Sequence, residues 1–395
     1  MNAAKSLPAV RKGGIVFHDP VPAVLQDMRQ RFDAHLEALG LQSHVLASPC
    51  TATDEGAAAG EHGVRFALHD IARYHLTPHA DTLGLCQTLH LDTHTNAQDL
   101  EREILVAMLA SPVCFSFPSY DELVSALRVR QNLVMDARKT ALAFDTEHAE
   151  RPEEYWSYTT ECGFTLKPGR SLIAALEKTT QPQVSGKLYS FSCYRATEYV
   201  ILLAIARELT LCNVPLLADL QAQWERRAIM SGEFHDVFLR EYGSMDDPLP
   251  PRYYVPGDRV WFRNPDERSA DVEGYEGSWV FYLGDGQFSN FWKRDQPYTL
   301  ISKSVEIFHW RNATYRDEHG RLQVDDAVVD ARVARTLQDP RELDRILTLM
   351  QRMRDPSGLY QEGGCIDATR ECVRHVRPGT SQLMLPRHAA FSLAS

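Results

Sequence analysis

The stretch that decides the fold is YSFSCYRATEYVILLAIARELTLC, Tyr189 to Cys212. Its middle, Tyr199 to Ala206, is apolar on every side of a helical wheel, so the helix from Ala196 to Leu211 belongs inside the protein. Cys193 stands at the head of that helix. A thiol attacks only as thiolate, and unpaired N–H groups at a helix start favour the anion. A buried cysteine is more often a small apolar filler, so the position by itself does not make a nucleophile.

Outward from this helix, the pattern alternates helices and strands. Ser119 and Glu122 have capping-box spacing before a helix that places Leu123, Leu127, Val134 and Ala137 on one face. Pro256-Gly257-Asp258 turns the chain into a strand at Arg259–Phe262, and Gly277 to Gly284 is a second strand bounded by glycines. A helical segment runs from Val24 to Leu39. The Gly/Ala/Thr-rich stretch Cys50 to Gly63 reads as a linker. Beyond Gly320 the pattern is helical again, Val324 to Met353, before a Gly- and Pro-punctuated tail. The division this predicts is 1–65 as extension and linker, 66–320 as one α/β domain, and 321–395 as a helical C-terminal extension with a tail.

With 395 residues, 44% apolar and 24% charged, the chain has ample material for a core. Its net charge of −11 disfavours non-specific nucleic-acid binding, which needs a basic face. No apolar run approaches a membrane span or a signal-peptide core, so the expected location is the cytoplasm. The eight cysteines are scattered, as reduced thiols would be. His75, His79, Cys86, His90 and His94 lie close together but match no zinc spacing, and Gly284-x-Gly286 lacks the third glycine and helix of a dinucleotide cradle. No metal or cofactor is expected.

Several stretches carry a resemblance. SPVCFSFPSYDELVSALRVRQNLVMDARKTALAF, EYW at Glu154–Trp156, GFTLKPGRSLIAAL, YSFSCYRATEYVILLAI, PGDRVWFRNPDE, GYEGSWVFYLGDGQF and ATYRDE occur in the order found in spore-coat-type bacterial transglutaminases, the protein-glutamine gamma-glutamyltransferases. The chain resembles that family from Leu100 to Arg316. The resemblance implies a papain-like α/β core, with the Cys-bearing helix packed on an antiparallel sheet. It implies Cys193 as nucleophile and acyl transfer from a glutamine side chain to a lysine amine through a thioester. The partners would be a protein or acyl-thioester donor and an amine acceptor. It also implies a tunnel whose aromatic residues fall near Trp261 and Tyr275.

The resemblance has gaps at the polar positions. The family's strand Glu corresponds to Ser278, its His to Phe291, and the acid before the nucleophile to Ser192. Serine and phenylalanine cannot serve as proton carriers near neutral pH. Ser278 and Phe291 are therefore expected to border substrate and not to move protons. Glu276 lies two residues before Ser278 and, by strand alternation, on the same side, with Trp279, Phe281 and Leu283 on the other. His309, in the alternating run Ser304 to Trp310, reads as strand and could return an imidazole to the thiol, depressing its pKa. Glu198 is a third candidate, on a different helix face from Cys193. A degenerate binding module and a thiol deamidase or peptidase are the competing readings.

Overall fold

The computed structural model describes residues 13–51, 62–143, 149–355 and 364–386. Its centre is the helix Cys193–Cys212, of which the stretch from Ala196 to Ala206 is wholly buried. The helix Tyr120–Lys139 packs along it, as does Leu172–Thr180. The Ser119 hydroxyl accepts the Glu122 N–H at 3.0 Å, and Asp121 and Glu122 open the helix while Arg138 and Lys139 close it. That charge order suits the helix dipole.

Beside the central helix lies a six-stranded antiparallel sheet. Its strands run in the order Tyr298–Thr299, Gln287–Phe288, Gly277–Gly284, Arg259–Arg263, Arg370–Val373, Leu239–Tyr242. Arg259, Trp261, Trp279 and Phe281 pair on one face, and Val260, Phe262, Ser278 and Val280 on the other. Phe281 and Leu283 join the core of the central helix. Val260, Phe262, Val280 and Tyr282 join a second core with the helices Leu300–Trp310, Asp326–Thr336 and Pro340–Met350. A separate four-stranded sheet, Val45–Thr51, His62–Leu68, Gly14–Asp19, Cys114–Phe117, is packed by the helix Pro22–Ala38.

The protein is thus mixed α/β, with the Cys-bearing helix against an antiparallel sheet. The linker expected at Cys50 to Gly63 gives way to strand at both ends, and residues 52–61 lie outside the described residues. The segment after Gly320 is not only helical. Its strand Arg370–Val373 sits inside the large sheet, pairing with both Leu239–Tyr242 and Arg259–Arg263. The run Ser304 to Trp310 is helix and not strand, because Thr299 and Ser302 form a reciprocal cap and Leu300, Ser304 and Ile307 fall on one buried stripe.

Glu122 does more than open its helix. Its carboxylate is 1% exposed and accepts from Val376 N at 3.0 Å, Arg377 N at 3.3 Å and the Thr380 hydroxyl at 2.6 Å. Glu122→Ala would strand these donors. Unfolding in urea should show a loss of about 2–4 kcal/mol, and limited proteolysis should open first near residues 375–386. Wild-type stability in the variant would show that Glu122 does not anchor the tail.

Candidate active site

Ser192 caps the central helix, its hydroxyl accepting the Arg195 N–H at 3.2 Å. The next residue, Cys193, is half-buried at the wall of a cleft of about 1170 Å³. Its sulfur receives the backbone N–H groups of Trp279 and Tyr194, and the charges of Lys303 and Arg259 face it. Burial nevertheless wins: desolvation pushes the Cys193 thiol above its ordinary range, against the pull of those two N–H groups and two cations. The depressed thiol expected from a helix start and a partner imidazole is not what the site provides. At neutral pH the resting group is the thiol.

Lys303 comes from the helix Leu300–Trp310 and is almost fully buried. Its Nζ lies 3.0 Å from Glu306 Oε2, 4.0 Å from the Tyr298 ring centroid and 5.6 Å from that of Trp310. Tyr298 donates its hydroxyl to Glu306 Oε1 at 3.2 Å, so the carboxylate is shared between ammonium and phenol. Burial raises the Tyr298 pKa well above its ordinary value, with Glu306 reinforcing it, so Tyr298 stays protonated. Arg259 is committed elsewhere. Its guanidinium donates to the Thr197 hydroxyl at 2.9 Å and to Glu371 at 2.8 Å, with the rings of Tyr194 and Trp279 at 4.6 Å and 4.0 Å.

The other sequence candidates separate into two groups. Tyr275 and Ser278 line the cleft with Cys193. Tyr275 stands edge-on to Trp310 at 5.2 Å and donates to Asp326 at 2.8 Å. Glu276 lies just before the strand begins; it is exposed, accepts the Gly274 N–H at 3.4 Å, and is not among the residues lining the cleft. Trp279, Phe281 and Leu283 form the face that meets the central helix: Trp279 turns its ring to Tyr194 of that helix, at 5.5 Å, and Phe281 and Leu283 pack on the same side. Ser278 reaches the cleft at the strand's start, on the face it shares with Phe262 and Val280.

Trp261 stacks on Trp279 at 5.9 Å and closes over Gly277, where an added Cβ would come within 2.4 Å of its Nε1. It supports the strand and does not line the cleft. Phe291 is buried in the core, its ring 6.5 Å from Phe281. His309 lies on a helix, with Nε2 at 2.8 Å from the Thr336 hydroxyl and Nδ1 at 3.0 Å from the Asn312 amide. Both ring nitrogens are spoken for within the second core. Burial, with Arg332 adding to it, lowers the His309 pKa from 6.5 to about 4.

Sequence reasoning overlooked Lys303, Glu306 and Tyr298. The signal available was a lysine in the middle of an apolar helical stripe, a position where charge is rarely fully buried without a partner. Among the described residues no three His, Cys, Asp or Glu side chains converge as metal ligands. No helix among them is long and apolar enough to cross a membrane.

Residues 84–385 match the family model described as protein-glutamine gamma-glutamyltransferase. The chain is 27% identical over 202 residues to a protein-glutamine gamma-glutamyltransferase of Halalkalibacterium halodurans, covering 50% of this chain and 66% of that one. A Bacillus cereus relative of the same name is 28% identical over 193 residues, 47% of this chain and 63% of its own. One from Bacillus licheniformis is 28% identical over 175 residues, 43% and 65%. The chain therefore spans just under two thirds of the length of these curated relatives. A solved transglutaminase from Geobacillus stearothermophilus, without its C-terminal extension, aligns with a TM-score of 0.37 and 18% identity, covering 54% of this chain and 98% of that one.

The neutral, buried state of His309 has a consequence in acid. Its folded pKa lies below its unfolded one, so its share of stability is complete above 6.5 and is lost as pH falls toward about 4. Chemical denaturation at stepped pH should show His309→Gln flattening that decline while leaving stability near pH 8 less affected. An identical acid slope in both proteins would contradict a buried neutral imidazole.

Proposed function

Since this chain belongs to the protein-glutamine gamma-glutamyltransferase family, we propose that it is a cysteine acyltransferase that makes amide bonds through a thioester on Cys193. The observation that carries this reading is the placement of that thiol. It sits on the first turn of the buried helix, at the wall of a large cleft, with two backbone N–H groups on its sulfur. The donor is a carboxamide, by the family's chemistry the side chain of a protein glutamine. The Cys193 sulfur adds to the carboxamide carbon, the C–N bond breaks and ammonia leaves. A primary amine then attacks the thioester carbon, the C–S bond breaks, and the thiol returns.

The cleft suits such an acceptor. Tyr275, Tyr298, Trp310 and Phe191 line it beside Glu306 and Asp326. A lysine stem can lie along rings while its amine meets carboxylates. Deamidation uses the same first half, with water in place of the amine. The raised Cys193 pKa and the burial of Phe291 favour a second reading, a transglutaminase fold kept for binding.

The test is incorporation of a dansylated primary amine into casein, with released ammonia measured in parallel. Wild-type protein should label casein, and Cys193→Ala should lower labelling by roughly a thousandfold or more. Ammonia without amine incorporation would assign a hydrolase. Neither product, with no covalent adduct on Cys193 by mass spectrometry, would assign the binding module.

A further inference from the structure

An acyl transfer of this kind needs a group to stabilise the thiolate and to carry a proton to the leaving nitrogen. Neither Glu276 nor His309 lines the cleft that Cys193 faces. Of the cations that do line it, Arg151 and Arg195 are guanidinium groups, which do not release a proton. Lys293 is half exposed and paired with Asp330 at 2.5 Å. Of the two lysines, Lys303 is the buried one. We propose that Lys303 is the counter-charge and proton carrier of Cys193, held for that task by Glu306 and Tyr298.

Three features support this assignment. The ammonium is withdrawn from solvent, so its field on the sulfur is weakly screened. Its position is fixed by the Glu306 carboxylate and the Tyr298 and Trp310 rings, and the phenol of Tyr298 takes part of that carboxylate's charge. A lysine ammonium also presents three rotatable N–H donors on a flexible stem, so one of them can swing between the sulfur and a departing nitrogen. The charged and titratable groups facing Cys193 are Lys303 and Tyr298 from beyond the strand and Arg259 from the neighbouring strand. On its own helix, Arg195 is paired with Glu198. Arg259 is already paired with Glu371.

This deepens the acyl-transfer reading and rests on it for the substrate steps. The Cys193 proton leaves to solvent and the thiolate pairs with the Lys303 ammonium. As the thiolate adds and the carboxamide C–N bond breaks, Lys303 gives one proton to the departing nitrogen. Ammonia leaves, and a neutral Lys303 and a thioester remain. The incoming primary amine attacks that thioester, loses one proton to Lys303, and the C–S bond breaks to restore thiolate and ammonium. Protons and charges balance over the two halves.

The experiment reads alkylation of Cys193 by iodoacetamide against pH, quantified by peptide mass spectrometry on the full chain, alongside the casein assay. Lys303→Met should raise the alkylation midpoint by about 1–3 pH units, with thermal unfolding checking that the variant is folded. Glu306→Gln should lower the midpoint, because the ammonium then acts on the sulfur without its own counter-charge. Lys303→Arg should keep the midpoint near that of the wild type yet lose amine incorporation by about a hundredfold. An unmoved midpoint in both Lys303→Met and Glu306→Gln overturns the pairing, and full turnover in Lys303→Arg overturns the proton carriage. If the wild type labels no casein while Lys303→Met still shifts the midpoint, the acyl-transfer reading fails and the pairing stands.

Discussion

Burial of the Cys193–Cys212 helix on all sides is the constraint to which the other elements answer. Thirteen of its residues are buried, from Ala196 to Leu209. Each large aliphatic side chain removed from water contributes about 1.5–3 kcal/mol, so Val200, Ile201, Leu202, Leu203 and Ile205 together outweigh any single polar contact in the molecule. Such a helix has to be surrounded. The helices Tyr120–Lys139 and Leu172–Thr180 cover it, and the Phe281 and Leu283 face of the sheet completes the enclosure.

An evenly apolar helix says little about its own rotation or axial position. Three polar side chains supply that information. Thr197 accepts from Arg259, which is itself tied to Glu371. Glu198 takes the Ser231 N–H at 2.7 Å and pairs with Arg195. Near the far end, Glu208 receives the Ser125 hydroxyl at 2.6 Å and the Arg128 guanidinium at 2.5 Å. Burying these groups costs free energy, and an apolar replacement of each pair would hold the core as well. They fix which residue of the helix meets the cleft. Cys193 faces Trp279 because Thr197 and Glu198, one turn on, are already committed.

The same division explains what was legible in the sequence. The central helix, the Ser119 cap and the Gly277–Gly284 strand are local patterns, and each formed within a few residues of its expected bounds. Partners that meet across a hundred residues left no such mark. Glu122 looked like half of a capping box, but its carboxylate binds the tail 254 to 258 positions away. At His309 the sequence points the wrong way, because Ser304 to Trp310 alternates passably while the decisive cap at Thr299 and Ser302 lies upstream of that window. Once the segment is a helix, Lys303 falls on the buried stripe with Leu300, Ser304 and Ile307, and His309 belongs to Thr336. One change of period therefore removed one candidate and exposed another.

The cleft that Cys193 borders depends on the segment after Gly320 for part of its wall. Asp326, Val329, Asp330 and Val333, from the helix Asp326–Thr336, all line the cleft. Two polar ties reach across, Tyr275 to Asp326 and Lys293 to Asp330. The second is exposed and contributes about 0–1 kcal/mol, so it does not hold the wall. Val329, Ile346 and Met350 do, by packing into the second core with Val305, Ile307 and Phe308. That core also carries the helix of Lys303. The thiol is thus positioned by one core, and Lys303 and the acidic wall of the same cleft by the other. The strand Gly277–Gly284 is common to both, with Phe281 and Leu283 on one side and Val280 and Tyr282 on the other. Where that strand begins, at Gly277 and Ser278, the two sets of side chains meet, and it is there that the cleft opens.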